Sequence, residues 1–345
     1  MDITGRKFLV TGGASLIGSH LTRVLLESGA SEVVLYDNLS LGSAELLTAF
    51  GNDQRVRAVR GDVLRLSQLV EAVMAVDGVF ALAGYLTLPF SREPAVGAEV
   101  NVMGTVNTLE AVRLAGKRKI VFASSVAVYG GDVEGVVEET RPFRSADISA
   151  ASASYGASKL LGESLGRLYA QQYDVDFCAV RFSTVYGENQ HARGVNALYV
   201  LEAMQAVRAG ERVIVRGSGE EAHDYLYAGD AARACVLAMA KGGPGDTFNI
   251  ATGCSTSVND IVRMVLDEYG SSAQPEHVAD TRTVRSTKHP ELVISTERAR
   301  AILGWEPAVS VRAGIGRLRR WLDQSKPLQP DLITTEDTED TEAQP

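Results

Sequence analysis

Through the first 180 residues, short unbroken apolar runs alternate with longer stretches whose apolar positions recur every three or four residues. The runs predict strands at Lys7–Thr11, Glu32–Asp37, Val56–Gly61, Gly78–Ala83, Lys119–Ser124 and Asp176–Phe182. The periodic stretches predict helices near 16–29, 42–50, 66–76, 92–116 and 152–172. Runs such as Phe8-Leu9-Val10 leave no polar face, which suits strands covered on both sides. Strand and helix in strict alternation predict an α/β fold with a doubly wound parallel sheet.

After residue 183 the rhythm loosens. A helix near 195–209 precedes a short strand, Arg212–Arg216. Strands are predicted at Asp224–Ala228 and Thr247–Ile250 with a helix at 230–241 between them, and helices near 257–269, 295–303 and 310–324 follow. The expected organisation is a Rossmann-type domain over 1–182, to which 225–251 returns. Residues 183–224 and 252–325 form a smaller C-terminal substrate-binding lobe over the carboxyl ends of the strands, where such sheets bind ligands. Residues 326–345 are rich in acids and threonine with almost nothing to bury, and read as a disordered tail.

The formal charge of −9 argues against a nucleic-acid partner, although six of the acids lie in residues 327–345 with no base among them, so the body is nearer neutral. Cys178, Cys235 and Cys254 are odd in number and far apart, which indicates neither a disulfide framework nor a zinc site. No secretory signal pattern opens the chain, and no apolar run approaches the roughly 18 residues a membrane span needs. The expected setting is cytoplasmic, with no membrane contact.

The segment Val10-Thr11-Gly12-Gly13-Ala14-Ser15-Leu16-Ile17-Gly18 joins the first strand to the first helix. Glycines there permit a tight turn and close approach of a pyrophosphate to the helix N-terminus, so Gly12, Leu16, Ile17 and Gly18 are candidate dinucleotide contacts. A lone glycine run is more often a plain turn; its place between strand and helix favours the cofactor. Ser15 stands where glycine is commoner. Asp37 ends the second strand, 19 residues after Gly18, where a carboxylate accepts ribose hydroxyls and repels a 2′-phosphate, favouring NAD over NADP. Asn38, Ser40, Asp62, Val63, Leu82 and Ala83 follow strands two to four and complete the expected cofactor contacts, though an isolated Asp62 would more often be a helix cap.

Tyr155 and Lys159 are four residues apart on a predicted helix, so a phenol and an ammonium share one face. A neighbouring positive charge favours phenolate and readies the tyrosine to exchange a proton with an alcohol. Ser124 and Ser125 end the fifth strand at the same edge of the sheet, and Ser125 is the candidate to hydrogen-bond the reacting hydroxyl.

Taken together with Asn101-Val102-Met103-Gly104-Thr105, Ser124-Ser125-x-x-Val128-Tyr129-Gly130 and Arg181-Phe182-x-x-Val185-Tyr186-Gly187, these motifs resemble the extended short-chain dehydrogenase/reductase family, in its NAD-dependent nucleotide-sugar epimerase/dehydratase branch. The resemblance spans roughly residues 6–324. It implies that Tyr155 is the base, that Lys159 lowers its pKa and holds the nicotinamide ribose, that Ser125 orients the hydroxyl, and that Asn101 stands behind the cofactor. It implies an epimerase that oxidises a sugar carbinol transiently to a ketone and keeps its NAD. Dehydratases of the family carry an Asp-Glu pair where this chain has Val126-Ala127, which argues against water elimination. The resemblance also implies a homodimer through the helices near 92–116 and 152–172, with Ala111, Ala115, Leu160, Leu161 and Leu168 as apolar surface.

The substrate positions depart from the family pattern. Thr184 replaces an asparagine, and His223 replaces an arginine that contacts nucleotide phosphates. Arg216 and Arg282, with Arg285 nearby, are the candidates to supply the missing charge. Nucleoside diphosphate is then expected to bind more weakly as pH rises through the titration of His223. Two further readings stay open: an NAD(P)-dependent dehydrogenase or ketoreductase on another secondary alcohol, and a non-catalytic nucleotide sensor.

Overall fold

The computed structural model describes residues 1–51, 53–116, 119–131, 135–146, 148–190, 198–280 and 293–324. In chain order the first half runs β1 (Lys7–Thr11), α1 (Leu16–Glu27), β2 (Glu32–Asp37), α2 (Ala44–Thr48), β3 (Val56–Arg60), α3 (Leu66–Met74), β4 (Gly78–Ala81), α4 (Thr87–Arg92), α5 (Pro94–Ala98), a π-helical turn (Glu99–Gly104), α6 (Thr105–Leu114), β5 (Lys119–Ser125), a 3₁₀ turn (Val126–Tyr129), β6 (Val136–Val137) and α7 (Ala150–Tyr173). The second half runs β7 (Phe177–Phe182), β8 (Thr184–Tyr186), α8 (Leu198–Ala209), β9 (Ile214–Arg216), β10 (Ala222–Tyr227), α9 (Ala228–Lys241), β11 (Asp246–Ile250), β12 (Ser255–Ser257), α10 (Val258–Tyr269), β13 (Glu276–Val278), β14 (Val293–Ile294), a π-helical turn (Ala299–Leu303) and α11 (Val311–Gln324).

Seven strands form one wholly parallel sheet in the order β3-β2-β1-β4-β5-β7-β11. The chain starts in the middle, runs outward through β3, then crosses back to β4 on the other side of β1. The reversal between β1 and β4 opens a crevice at their carboxyl ends, the usual ligand site of a doubly wound sheet. Strand alternation deals the apolar residues into two cores. Phe8 and Val10 join Leu21, Leu25 and the α9 alanines on one face, while Leu9 joins Val34, Leu69, Leu109 and Phe177 on the other. A third core gathers Val200, Met204, Val215, Tyr225, Ile261, Ile315 and Leu318 from α8, β9, β10, α10 and α11.

Helix α7 packs against β5 and β7 and carries Tyr155 and Lys159. Ser149 caps its N-terminus by accepting a hydrogen bond from the Ser152 N–H, and Asp174 ends it in the left-handed conformation, φ 57°. The helix meets the sheet through glycines. A Cβ on Gly162 would lie 2.6 Å from the Phe122 ring, and one on Gly166 would lie 2.1 Å from the Phe177 ring.

Several elements differ from the sequence expectation. The single helix expected over 92–116 is α5, a π-helical turn and α6, preceded by a separate α4. Pro94 opens α5 and helps to break it from α4. The helix expected near 295–303 is a π-helical turn from Ala299. Strands β6, β8, β12, β13 and β14 were not expected, because two or three residues carry no readable period. Of the candidate apolar surface, Ala111 is wholly buried, and Ala115 and Leu160 pack partly against the cores. Leu161 and Leu168 are exposed, as is Met103. Arg282, Arg285 and the tail from residue 326 lie outside the described residues.

The close seat of α7 makes Gly166→Ala costly even though alanine is the better helix former by about 1 kcal/mol. A methyl forced against Phe177 should lower unfolding stability by about 1–3 kcal/mol, read as a lower denaturation midpoint with an unchanged slope.

Candidate active site

The β1–α1 turn is built for close approach. Gly12 has φ 69°, and a Cβ there would come within 2.8 Å of the Ala83 backbone nitrogen. A Cβ on Gly18 would lie 2.6 Å from the Gly13 carbonyl oxygen, so this glycine lets α1 start directly beneath the turn. Ser15 serves as the N-cap of α1, its hydroxyl accepting from the Gly18 N–H at 3.1 Å. Backbone donors at a helix N-terminus and the absence of a side chain at Gly12 suit a pyrophosphate.

Asp37, 8% exposed, closes the far side of the crevice. Its two oxygens accept from the Ala14 N–H at 3.0 Å and the Leu39 N–H at 2.8 Å, which aims the carboxylate across the mouth of the turn. A carboxylate has about four acceptor positions, so two remain for a ribose diol. Asn38 donates to Asp62 at 3.2 Å, and Asp62 accepts from the Leu64 N–H at 2.9 Å. Among the described residues lining the crevice, Lys159 is the sole cation, so no guanidinium stands ready for a 2′-phosphate. These features fit NAD.

The pocket wall includes Gly12, Leu16, Ile17, Asp37, Asn38, Ser40, Asp62, Val63, Leu82, Ala83, Ser125, Tyr155 and Lys159, all expected from the sequence. Gly18 and Asn101 do not line it. Gly18 acts through packing. Asn101, 3% exposed, sits in the π-helical turn and clamps the loop after β4, accepting from the Tyr85 N–H at 2.7 Å and donating to the Tyr85 carbonyl at 3.0 Å. The extra residue of a π turn re-aims a side chain that a regular helix would point elsewhere. Tyr85, Gly84, Phe182 and Ser183 also line the pocket and were not foreseen. Their one sequence signal is position, at or just beyond the carboxyl ends of β4 and β7.

At the other end of the pocket three polar side chains meet. Tyr155 and Lys159 are 3% and 6% exposed on the inner face of α7. The Lys159 Nζ donates to the Ala123 carbonyl of β5 at 2.9 Å and lies 6.0 Å from the Tyr155 ring centroid. An ammonium has three donors, so two stay available for a ligand. Ser125 begins the 3₁₀ turn, its hydroxyl accepting from the Ala127 N–H at 3.1 Å, and it reaches the Tyr155 phenol. Ser124 points elsewhere, donating to Glu163 at 2.6 Å.

The electrostatics differ from the simple picture of an ammonium lowering a phenol. Burial pushes Tyr155 up to about 12, with the contact to Ser125 pulling the other way. Burial also pushes Lys159 down to about 8. Burial disfavours the charged form of each group, yet a Lys159 pKa of about 8 leaves the ammonium predominant at neutral pH.

Of the expected substrate residues, Ser125 lines this pocket, Thr184, Arg216 and His223 do not, and Arg282 lies outside the described residues. Thr184 pairs with Tyr225 across β8 and β10 and lies outside the lining, although its neighbours Ser183 and Val185 are in it. Arg216 lies 3.5 Å from Glu202 of α8, and that carboxylate already partners its charge. His223 is half-buried against Tyr225, ring centroids 5.8 Å apart, and burial pushes it down to about 4. In the free protein, burial thus disfavours the imidazolium on which the expected pH dependence of diphosphate binding relies.

The chain matches the GDP-mannose 4,6-dehydratase family over residues 9–318. It is 33% identical over 313 residues to a UDP-glucose 4-epimerase of Mycolicibacterium smegmatis, covering 90% of this chain and 96% of that protein. Among solved structures, a UDP-glucose 4-epimerase of Thermotoga maritima with UDP-glucose superposes with a TM-score of 0.81 at 28% identity, covering 92% of this chain and 99% of the other. A dTDP-glucose 4,6-dehydratase of Streptomyces venezuelae with NAD bound superposes with a TM-score of 0.80 at 27% identity, covering 92% and 97%.

A histidine held neutral by burial loads the acid side of the stability curve. Between the ordinary pKa of 6.5 and about 4 the unfolded chain binds a proton that the folded chain refuses, so stability falls as pH drops through that window. His223→Gln should flatten this slope between pH 6.5 and 4 in denaturant titrations.

Proposed function

The chain belongs to the GDP-mannose 4,6-dehydratase family, in the extended short-chain dehydrogenase/reductase branch of NAD-dependent nucleotide-sugar epimerases and dehydratases, and from that footing we propose that it is an epimerase of a nucleotide-activated hexose. The reacting centre is carbon 4, the position in the names of its relatives. The observation that carries this reading is the composition of the catalytic end of the pocket. Ser125, Tyr155 and Lys159 meet there, and the acids among the described lining residues, Asp37 and Asp62, belong to the far half. Val126 and Ala127 occupy the turn beside Ser125. Water elimination needs a second acid/base pair at the sugar, and these side chains supply none.

NAD held in this crevice would supply a reversible hydride acceptor. The rest falls to the chain. Ser125 orients the C4 hydroxyl, and Tyr155 removes its proton as the carbinol becomes a ketone. The charged form of Lys159 offsets the phenolate that burial disfavours and offers its free N–H groups to the nicotinamide ribose. Rotation of the keto-sugar presents its opposite face, and the proton on Tyr155 goes back to the new alkoxide. Atoms and electrons balance with no outside reductant, so the cofactor stays bound. The lobe made by α8, β9, β10, α10 and α11 is the proposed seat of the nucleotide.

A dehydrogenase acting on an alcohol without a diphosphate is the second reading. It is favoured by one observation: of the two described phosphate candidates, His223 is held neutral and Arg216 is paired with Glu202.

A panel of UDP-, dTDP-, GDP- and CDP-hexoses, assayed without added reductant, separates the readings. Epimer formation without NADH accumulation is expected; steady NADH production on a simple alcohol would move the assignment to the dehydrogenase. Tyr155→Phe should cut turnover by about 10²–10⁴-fold while the protein still binds NAD. The pair Leu161 and Leu168, exposed on α7, is the proposed centre of a homodimer interface, with Met103 exposed on the π-helical turn that packs against α7. Light scattering should give the mass of two chains, and Leu161→Glu with Leu168→Glu should give one.

A further inference from the structure

Below Tyr155 and Lys159, α7 carries a third buried polar residue at the same four-residue spacing. Glu163 is 0% exposed. Arg181 of β7, 5% exposed, grips it with two parallel bonds, Nε to Oε1 at 2.8 Å and Nη2 to Oε2 at 2.7 Å. Ser124 donates to the same carboxylate at 2.6 Å, and Arg167 stands 3.5 Å away on the helix. The remaining Arg181 donor goes to the Tyr129 hydroxyl at 2.9 Å and the Glu139 carbonyl at 2.8 Å. Tyr129 in turn donates to Asn249 of β11, which is 0% exposed and also holds the Val137 and Ser295 carbonyls.

These contacts bracket the catalytic groups. Ser124 immediately precedes Ser125, Tyr129 ends the 3₁₀ turn that Ser125 begins, and Glu163 is one turn beyond Lys159. At the opposite end Asn101 donates to Ser158 at 3.1 Å, and Ser158 donates to the Tyr155 carbonyl at 2.7 Å. Apolar packing sets how far α7 lies from the sheet but tolerates a slide along it; two-point hydrogen bonds do not. Apolar side chains of similar volume often replace a buried ion pair at no loss of stability. Stability alone therefore gives no reason for charge here, whereas positional control does.

We propose that Glu163 is a positioning residue: its bidentate pair with Arg181, tied to Ser124, fixes α7 in register against β5 and β7 so that Tyr155 and Lys159 face Ser125. The inference rests on the assignment of Tyr155 as the base. Loosening the pair should turn a small displacement into a large loss of rate, since about 1 Å of misplacement costs about 10²-fold.

The test uses the NAD-loaded full chain and two variants, Glu163→Leu/Arg181→Met, which replaces the pair by apolar bulk, and Glu163→Gln, which keeps shape but loses charge. Melting temperature, sugar kinetics, the pH–rate profile and the rate of NAD release are measured for each. For the double variant the expected result is near-native melting, a kcat lowered by about 10–100-fold with KM little changed, an acid limb of the profile moved to higher pH as Tyr155 loses its ammonium, and faster NAD release as Lys159 shifts. Glu163→Gln should show the same changes to a lesser degree, and it decides the matter should the double variant not fold. Wild-type kcat, profile and NAD release in a folded variant would overturn the proposal, and so would a rate loss that merely tracks the folded fraction. If Tyr155→Phe proves fully active, the epimerase mechanism fails separately, while the NAD-release rates still report on Glu163.

Discussion

The burial of polar groups beneath α7 is the constraint on which the rest of the site depends. Tyr155, Lys159 and Glu163 are all removed from water on one helix face, and each buried polar group must find a partner or lose about 1–3 kcal/mol. The sheet supplies those partners from its carboxyl edge: the Ala123 carbonyl for Lys159, and Ser124 and Arg181 for Glu163. Glycines at 162 and 166 let the helix come close enough for these bonds to form. Among the described residues the phenol is reached by Ser125, and burial raises its proton affinity. The nearest positive charge to offset that desolvation is the Lys159 ammonium one helical turn away.

Much of the sheet was legible in the sequence because each central strand is an uninterrupted apolar run, and the glycine turn, Asp37 and the Tyr155–Lys159 spacing are local signals. What could not be read was anything fixed by non-local pairing. Glu163, Arg181 and Asn249 are separated by 18 and 68 residues, and nothing in their immediate neighbours marks them as one network. His223 shows the same limit. Its residue type suggested a titrating phosphate ligand, whereas its proton affinity is lowered by the burial the fold imposes beside Tyr225. Asn101 was found from the motif, but the π-helical turn that redirects it onto Tyr85 leaves no trace in apolar spacing.

The two halves of the pocket solve different problems with different materials. The cofactor half relies on backbone: glycine approach, a capped helix N-terminus and a carboxylate held by two N–H groups. Such a surface recognises a rigid, common ligand and needs few side chains. The catalytic half relies on side chains whose positions are set by contacts behind them, which makes it sensitive to changes far from the substrate. The lobe beyond β8 is joined to the pocket edge through Asp224 of β10, which accepts from Ser183 and from the Thr252 and Gly253 N–H groups.

The last described segment serves two cores at once. Trp305, fully buried, packs with the sheet core and donates to the Asp230 carbonyl at 3.0 Å, while Val309, Ile315, Leu318 and Leu322 complete the core of the lobe. Strand β11 reaches its place beside β7 only after β8, β9 and β10 have been laid down. On a ribosome, neither core can be sealed until about nine-tenths of the chain has emerged. Productive folding is consequently a late event governed by distant contacts, and the waiting nucleotide-binding half must pass that interval with apolar surface uncovered.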